Sequence, residues 1–531
     1  MPVTTSFPGV YIQELPSNAH TIAAAPTSVT VFVGYSHPFK SPLPPFGAPQ
    51  EIFSFSDYER LYGGIFQSSV IDNNLAYAVS QFFLNGGSDA IIVALQPAYR
   101  DATDTPTTIT AGTATVAGIA FTALQPTDIA ATSGSPGTVM KIVIGNVQPG
   151  ATIADITITY ASQQEVYRKV NLTATDPNFY ATRINGVSSL VSASATAPAS
   201  FGTGGNGSID TSVGQAGGVP AGTVGVFSPG DYTTVFQEDS GLDKWPIFNL
   251  LVTPGVPNSS SAALLGDGQV VLSEALAFCE RKLAFFIMDP PSTYIADSGL
   301  GNSIDSTLPP GPVSPNGAIY FPYLQSNDPT TGASLSLPPS GTVAGIFARE
   351  DTNRGVWKAP AGIETTILNA TGVVPTGVMT DSRQGVLNNE GINCLRTFPG
   401  IGTVVFGART LVYTNVALQT QWGYVPVRRM ALFIEQTLKA ALVWAIFEPN
   451  DTPLWTAIRV SIEGFMMALF NQGAFAGTTP SQAFQVVCDA TTTTPDDVNL
   501  GRVNVIVAFA PLKPAEFVIV KITQLAGQPQ S

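Results

Sequence analysis

Acid–base and nucleophilic chemistry often begins with a histidine, and this sequence of 531 residues has two, His20 and His37. Both stand near the N-terminus in Pro-rich surroundings, "SNAHTIAAAP" and "GYSHPFKSP". A Ser–His–Asp or Cys–His catalyst would have to recruit one of them. The surroundings read instead as exposed loop. The acidic pairs Glu350/Asp351 and Asp496/Asp497 have the residue type for general acid–base work or for holding a cation. They sit in polar, turn-like contexts with no histidine at ligand spacing, so solvated loop charge is the expectation. Cys279, Cys394 and Cys488 are far apart, lack CxxC or zinc spacing, and read as buried free thiols in a reducing compartment. The "TPG" after Val252 follows an apolar strand, as a phosphate loop would. It has neither the GxxxxGK[ST] pattern nor a second glycine at dinucleotide spacing. These residues yield no catalytic group, no metal site and no cofactor.

The elements around them speak to assembly. The formal net charge is −14, the isoelectric point is about 4.5, and no basic footprint for nucleic acid appears. Only 11% of residues are charged and the mean hydropathy is +0.22. That balance fits a chain with little free surface, hidden in an assembly; it equally fits a large globular protein with a Thr/Ser/Gly-rich exterior. The length accommodates two to four domains with substantial cores. "MPVTTSFPGV" has no basic start followed by an apolar stretch, so no signal peptide is visible. The most apolar long stretch, Met430 to Phe447, is interrupted by Glu435 and Lys439 and is not read as a membrane span.

The pattern predicts an α/β or α+β multidomain fold. Residues 1–20, with "SFPGVYIQELP", read as an extended arm. "TSVTVFVGYS" is a strand, Ser28 to Gly34, and a helix is expected from about Asp72 to Leu84, followed by a strand in "NGGSDAIIVAL". From 101 to 225 the composition shifts to Thr, Ala, Ser and Gly, with alternating runs such as "TVMKIVIGNV" and "ITITYA". This reads as an inserted β-rich peripheral domain. The α/β pattern resumes with "WPIFNLLVTPG", a helix from about Asp267 to Lys282, "LAFFIMDPP" and "GAIYFPYL". Residues 21–100 and 226–385 therefore form one α/β domain and 386–510 a C-terminal core. In that core Val427, Met430, Ala431, Ile434 and Leu438 repeat at helical spacing after Pro426. Thr452 is expected to cap the next helix, with Pro453 at its first position.

The close of the sequence, "RVNVIVAFAPLKPAEFVIVKITQLAGQPQS", raises its own question. Phe517 to Thr523 has apolar side chains on both faces, with Val518, Val520 and Ile522 on one and Phe517 and Ile519 on the other. Pro511 and Pro514 separate it from the preceding strand. Residues 511–531 read either as a linker and a donated strand or as an ordinary turn and the second strand of a hairpin.

Seven long blocks stand out: "SFPGVYIQELP", "TSVTVFVG", "FLNGGSDAIIV", "PPSGTVAGIFAREDTNRGVWKAPAG", "LNNEGINCLRTFPGIGTVVFGARTL", "VPVRRMALFIEQTLKAALVWAIFEPN" and "NVIVAFAPLKPAEFVIVKI". They resemble the contractile tail sheath family, found in phages with contractile tails, R-type bacteriocins and extracellular contractile injection systems. The resemblance covers about 1–100 and 230–531, and leaves the middle unmatched. It implies a non-enzymatic subunit that stacks as hexameric rings into a helical homopolymer around an inner tube protein, between baseplate and terminator or cap proteins. It also implies contraction that drives the tube through a target envelope, without nucleic acid or direct membrane insertion. The subunit is expected in a virion tail or phage tail-like particle assembled in the bacterial cytoplasm. In such a polymer, terminal arms add strands to a neighbour's sheet. Val10, Tyr11, Ile12, Phe517, Val518, Ile519, Val520 and Ile522 become the arm contacts, with Pro511 and Pro514 as the hinge. Sheath relatives use basic residues of the C-terminal domain against an acidic tube, which points to Arg428 and Arg429. The same pair reads equally as an intrachain salt bridge. The alternatives are another self-assembling structural protein, of capsid or surface-layer type, and an α/β enzyme with a β insertion.

Overall fold

The computed structural model describes residues 20–39, 45–66, 68, 71–126, 140–160, 163–209, 223–256, 268–290, 314–330, 332–374, 379–414 and 416–521. The chain divides into two compact units, Pro26–Arg429 and Met1–Ala25 together with Met430–Ser531.

The larger unit is organised by an eight-stranded sheet. Its order is Pro49–Ile52, Ala90–Leu95, Thr30–Tyr35, Leu250–Val252, Phe285–Met288, Gly317–Phe321, Ile392–Phe398 and Gly402–Val405. The six inner strands run parallel, and the two edges are antiparallel. A parallel sheet is covered on both faces, so its strands read as continuous apolar runs; TVFVGY, AIIVAL and FFIM are buried at every position. On one face Val31, Val33, Ile91, Val93, Leu251 and Phe286 share a core with Val271, Ala275 and Phe278 of the Gly268–Lys282 helix. On the other, Phe32 meets Phe82 of the Asn74–Leu84 helix at 5.3 Å, and Phe285 meets Phe347 of the Ser340–Arg354 helix at 6.4 Å. Those two helices approach closely because Gly341 and Gly345 of the second face the first: a Cβ at Gly341 would stand 2.6 Å from Ala78, and one at Gly345 2.6 Å from the Phe82 carbonyl oxygen.

The middle of the chain builds smaller antiparallel sheets. One is four-stranded (Gln163–Asn171, Ile153–Tyr160, Met140–Gly145, Gly205–Ile209) and one three-stranded (Val191–Ala193, Ile119–Ala123, Thr113–Val116). They enclose an apolar cluster of their own, running from Val116 to Ile209. Ile109, by contrast, belongs to the core of the main sheet. The root is clasped by charge. Arg100 donates to the Asp104 and Asp231 carboxylates at 3.1 and 2.6 Å, Tyr35 donates to Asp231 at 2.8 Å, and Ser228 donates to Asp104 at 2.9 Å.

The smaller unit contains the Thr452–Asn471 helix, most of the Val425–Ala441 helix, and a two-stranded antiparallel sheet, Phe484–Val487 with Ile506–Phe509. Leu454, Ile458, Ile462, Phe465, Met466 and Leu469 are buried along the first helix, as their spacing predicts. Its cap is Asp451, one residue earlier than expected: the carboxylate accepts from the Leu454 amide at 3.2 Å, and Thr452 is already helical.

Candidate functional site

Parallel sheets present a binding crevice where strand order reverses, beyond the carboxyl ends of the strands. Here the chain passes from Thr30–Tyr35 to Ala90–Leu95 on one side, then to Leu250–Val252 on the other. "TPG" lies at that point. Its Gly255 amide donates to Asp289 Oδ2 at 3.0 Å, and the Ser340 amide, at the start of the Ser340–Arg354 helix, donates to Asp289 Oδ1 at 2.7 Å. Ser340 Oγ adds a third bond at 2.6 Å. The turn and the helix N-terminus thus spend their donors on the chain's own carboxylate, where a phosphate loop would spend them on a ligand. Burial pushes Asp289 up to about 6, against the pull of these donors. Asp289 was not legible as the partner of this turn, because it follows the next strand in sequence.

The other candidate chemical groups are also absorbed. His37 is buried rather than exposed; its Nδ1 accepts from the Phe39 amide at 3.2 Å and its ring lies 5.2 Å from that of Phe66. Glu350 and Asp351 are not loop charges either. Glu350 is buried on the Ser340–Arg354 helix, 3.5 Å from Lys358, and the side chain of Asp351 beside it is only 3% exposed. Polar neighbours in sequence concealed a helix whose inward turn carries them. Asp497 belongs to the capping box of the Pro495–Asn499 helix with Thr494. The three cysteines are buried and free. Among the described residues, no three His, Cys, Asp or Glu side chains gather in a way that could hold a metal ion.

Arg429 corrects the expectation that it faces a partner. Its side chain is 3% exposed, donates to both Asp351 oxygens at 2.8 and 2.5 Å and to the Thr27 carbonyl at 2.9 Å, and lies over the Phe347 ring. Burial raises Asp351 while Arg429 opposes that rise. Arg428 donates from Nε to Asn316 Oδ1 at 2.8 Å and stacks over Trp422. Both guanidinium groups are engaged within their own chain, as the salt-bridge alternative anticipated for Arg429.

The remaining candidates are in the smaller unit. Phe475 packs against Phe484 and Phe509, the outermost paired residues of the two-stranded sheet. The Ala476 amide donates to the Ala510 carbonyl at 2.9 Å, and Phe475 and Pro511 form an antiparallel bridge. Pro511 is therefore held by its own unit, since a proline without an amide hydrogen still offers a carbonyl. From Leu512 to Lys521 the chain enters no strand. Phe517, Val518, Ile519 and Val520 are 73, 84, 82 and 75% exposed. Val10, Tyr11, Ile12 and Ile522 lie outside the described residues.

Two family models match this chain: the phage tail sheath protein central domain over residues 311–411 and the phage tail sheath C-terminal domain over 419–524. A tail sheath protein of Burkholderia phage BcepMu is 25% identical over 43% of this chain and 46% of its own length. A putative prophage major tail sheath protein of Pseudomonas aeruginosa is 26% identical over 50% of this chain and 62% of its own. The chain thus spans about half the length of the curated relatives it matches. In fold it is similar to a chain of the anti-feeding prophage baseplate (TM-score 0.57, 24% identity, 98% of this chain and 99% of that one). It is similar also to the contracted sheath of the extracellular contractile injection system PVC (TM-score 0.57, 22% identity, 98% and 99%).

Proposed function

From the match of two tail sheath family models to residues 311–411 and 419–524, we propose that the chain belongs to the tail sheath family and is the structural subunit of a contractile sheath. It stacks as hexameric rings around an inner tube, joins a baseplate at one end and a terminator or cap at the other, and contracts to drive the tube through a target envelope. The observation that carries this reading is the run Phe517–Val520, four successive apolar residues on the surface and outside any strand. A two-stranded sheet has two open edges and little stability by itself. Phe484–Val487 with Ile506–Phe509 is such a sheet. A neighbour's closing segment supplies it with backbone hydrogen bonds and alternating side-chain contacts. Each of Val518 and Val520 contributes roughly 1.5–3 kcal/mol once buried there.

A heterologous contact of this kind does not close on itself, and it generates a helical filament. The segment after Pro511 works as the tether: it remains paired at its far end while subunits shift. The N-terminal arm, with Val10, Tyr11 and Ile12, joins the same composite sheet. The energy for contraction lies in subunit packing with two arrangements that differ by a few kcal/mol each.

Truncation after Pro514 tests the reading. Circular dichroism should report a folded subunit, and sedimentation and negative-stain microscopy should find cylinders only with the full chain. Long cylinders from the truncated chain would rule out strand donation. Outright unfolding would restore the hairpin reading, and sheets or shells from the full chain would favour a capsid or surface-layer protein.

A further inference from the structure

The chain just before the larger unit is held at separate points by one stretch of the smaller unit. The Ala25 amide donates to Thr437 Oγ1 at 3.1 Å, and Thr437 is fully buried on the Val425–Ala441 helix. Five residues earlier, the His20 ring stacks on Trp444, with centroids 3.8 Å apart and planes within 10°. Trp444 stands in the Val443–Ala445 turn that follows the helix. Between these points Ile22 is half-buried, while Thr21, Ala23 and Ala24 are exposed. As the chain is followed from Ala25 back to His20, its contacts advance along the helix from Thr437 to Trp444. The segment is therefore laid antiparallel to the helix. Two alanines offer no side chain able to fix its direction, so direction rests on the two end contacts.

We propose that the His20–Trp444 stack is an anchor that fixes the point from which the chain N-terminal to His20 begins its reach. His20 is a positioning residue: it fixes where an N-terminal arm begins its reach, and hence which neighbour the arm can meet. A tether that starts from a fixed point has a higher effective concentration at a matched site than one that starts five residues further back. The assembly consequence rests on the function proposed above; the anchor itself does not.

The test uses the full chain with His20→Ala and His20→Phe. In unassembled subunit, His20→Ala should speed hydrogen exchange of the Ala25 amide, which is bonded to Thr437, by about tenfold, with exchange in the Thr452–Asn471 helix unchanged. Tryptophan emission should rise as the stacked ring is removed. His20→Phe, which keeps a flat ring, should restore slow exchange. Polymer yield should fall in His20→Ala and recover in His20→Phe. Unchanged exchange and emission in His20→Ala would overturn the anchor. Loosened exchange with undiminished polymer would overturn its role in aiming the arm. If the wild-type chain forms no polymer at all, the sheath reading fails while the exchange experiment still decides the anchor.

Discussion

Individual charged residues in this protein act chiefly as internal fasteners. Arg429 and Asp351 form a bidentate pair that is 3% exposed on both sides. Such a pair adds little net stability, yet removing one partner strands a buried charge. Arg429→Met should cost about 3–5 kcal/mol in urea unfolding, and the double change Arg429→Met/Asp351→Leu should recover most of it. Asp89 gives a pH signature. Burial, then the charge of Glu51 and a hydrogen bond to it, push Asp89 up to about 6. Its folded value is above the unfolded one, so the folded state holds the extra proton between roughly pH 4 and 6. The contribution is present at pH 4 and lost as pH rises through 6. Asp89→Asn should raise the melting temperature at pH 8 relative to wild type and leave it nearly unchanged at pH 4.

At the scale of elements, close approach and capping decide which helices sit where. Gly341 faces Ala78 at a distance no Cβ tolerates, and backbone atoms on the other helix cannot swing aside. Gly341→Ala should destabilise the larger unit by about 1–3 kcal/mol in chemical denaturation. Asp451 caps the Thr452–Asn471 helix with a single carboxylate. Asp451→Ala should cost about 0.5–2 kcal/mol. That helix supports the strand proposed to receive a neighbour, so the same variant should also lower the temperature at which polymer dissociates, followed by light scattering.

For the molecule as a whole, the middle region should be removable if the cut respects its root. Deleting 103–222 would take away Asp104 and leave Arg100 with Asp231 alone, and it would also remove Ile109 from the main core. Deleting 111–222 with a short Gly/Ser joint keeps both. The shorter deletion should give a subunit with the wild-type melting temperature that still polymerises. The longer one should melt lower. Equal melting of the two would mean that the clasp at the root contributes nothing.

Local pattern was enough for the elements whose burial follows from their own residues. The apolar runs TVFVGY, AIIVAL and FFIM and the spacing from Leu454 to Leu469 carry their partners' existence within them, because a continuous apolar strand or an apolar helix face has to be covered. The apolar side chains on both faces of the closing segment were legible too, but not its pairing: the sequence left a donated strand and an ordinary hairpin open, and in the structure Phe517–Val520 stand exposed. Contacts between residues distant in sequence were not legible, since spacing says nothing about who arrives from elsewhere. Glu350 and Asp351 read as loop charges until Lys358 and Arg429 were found beside them. "TPG" read as a failed phosphate loop until Asp289 was seen to take its amide. His20 read as an ordinary loop residue until folding brought it onto Trp444, more than four hundred positions away. Sequence determined which surfaces must be buried; only the tertiary structure decided which charge, ring or carboxylate meets them, because those pairings are made by long-range packing rather than by local periodicity.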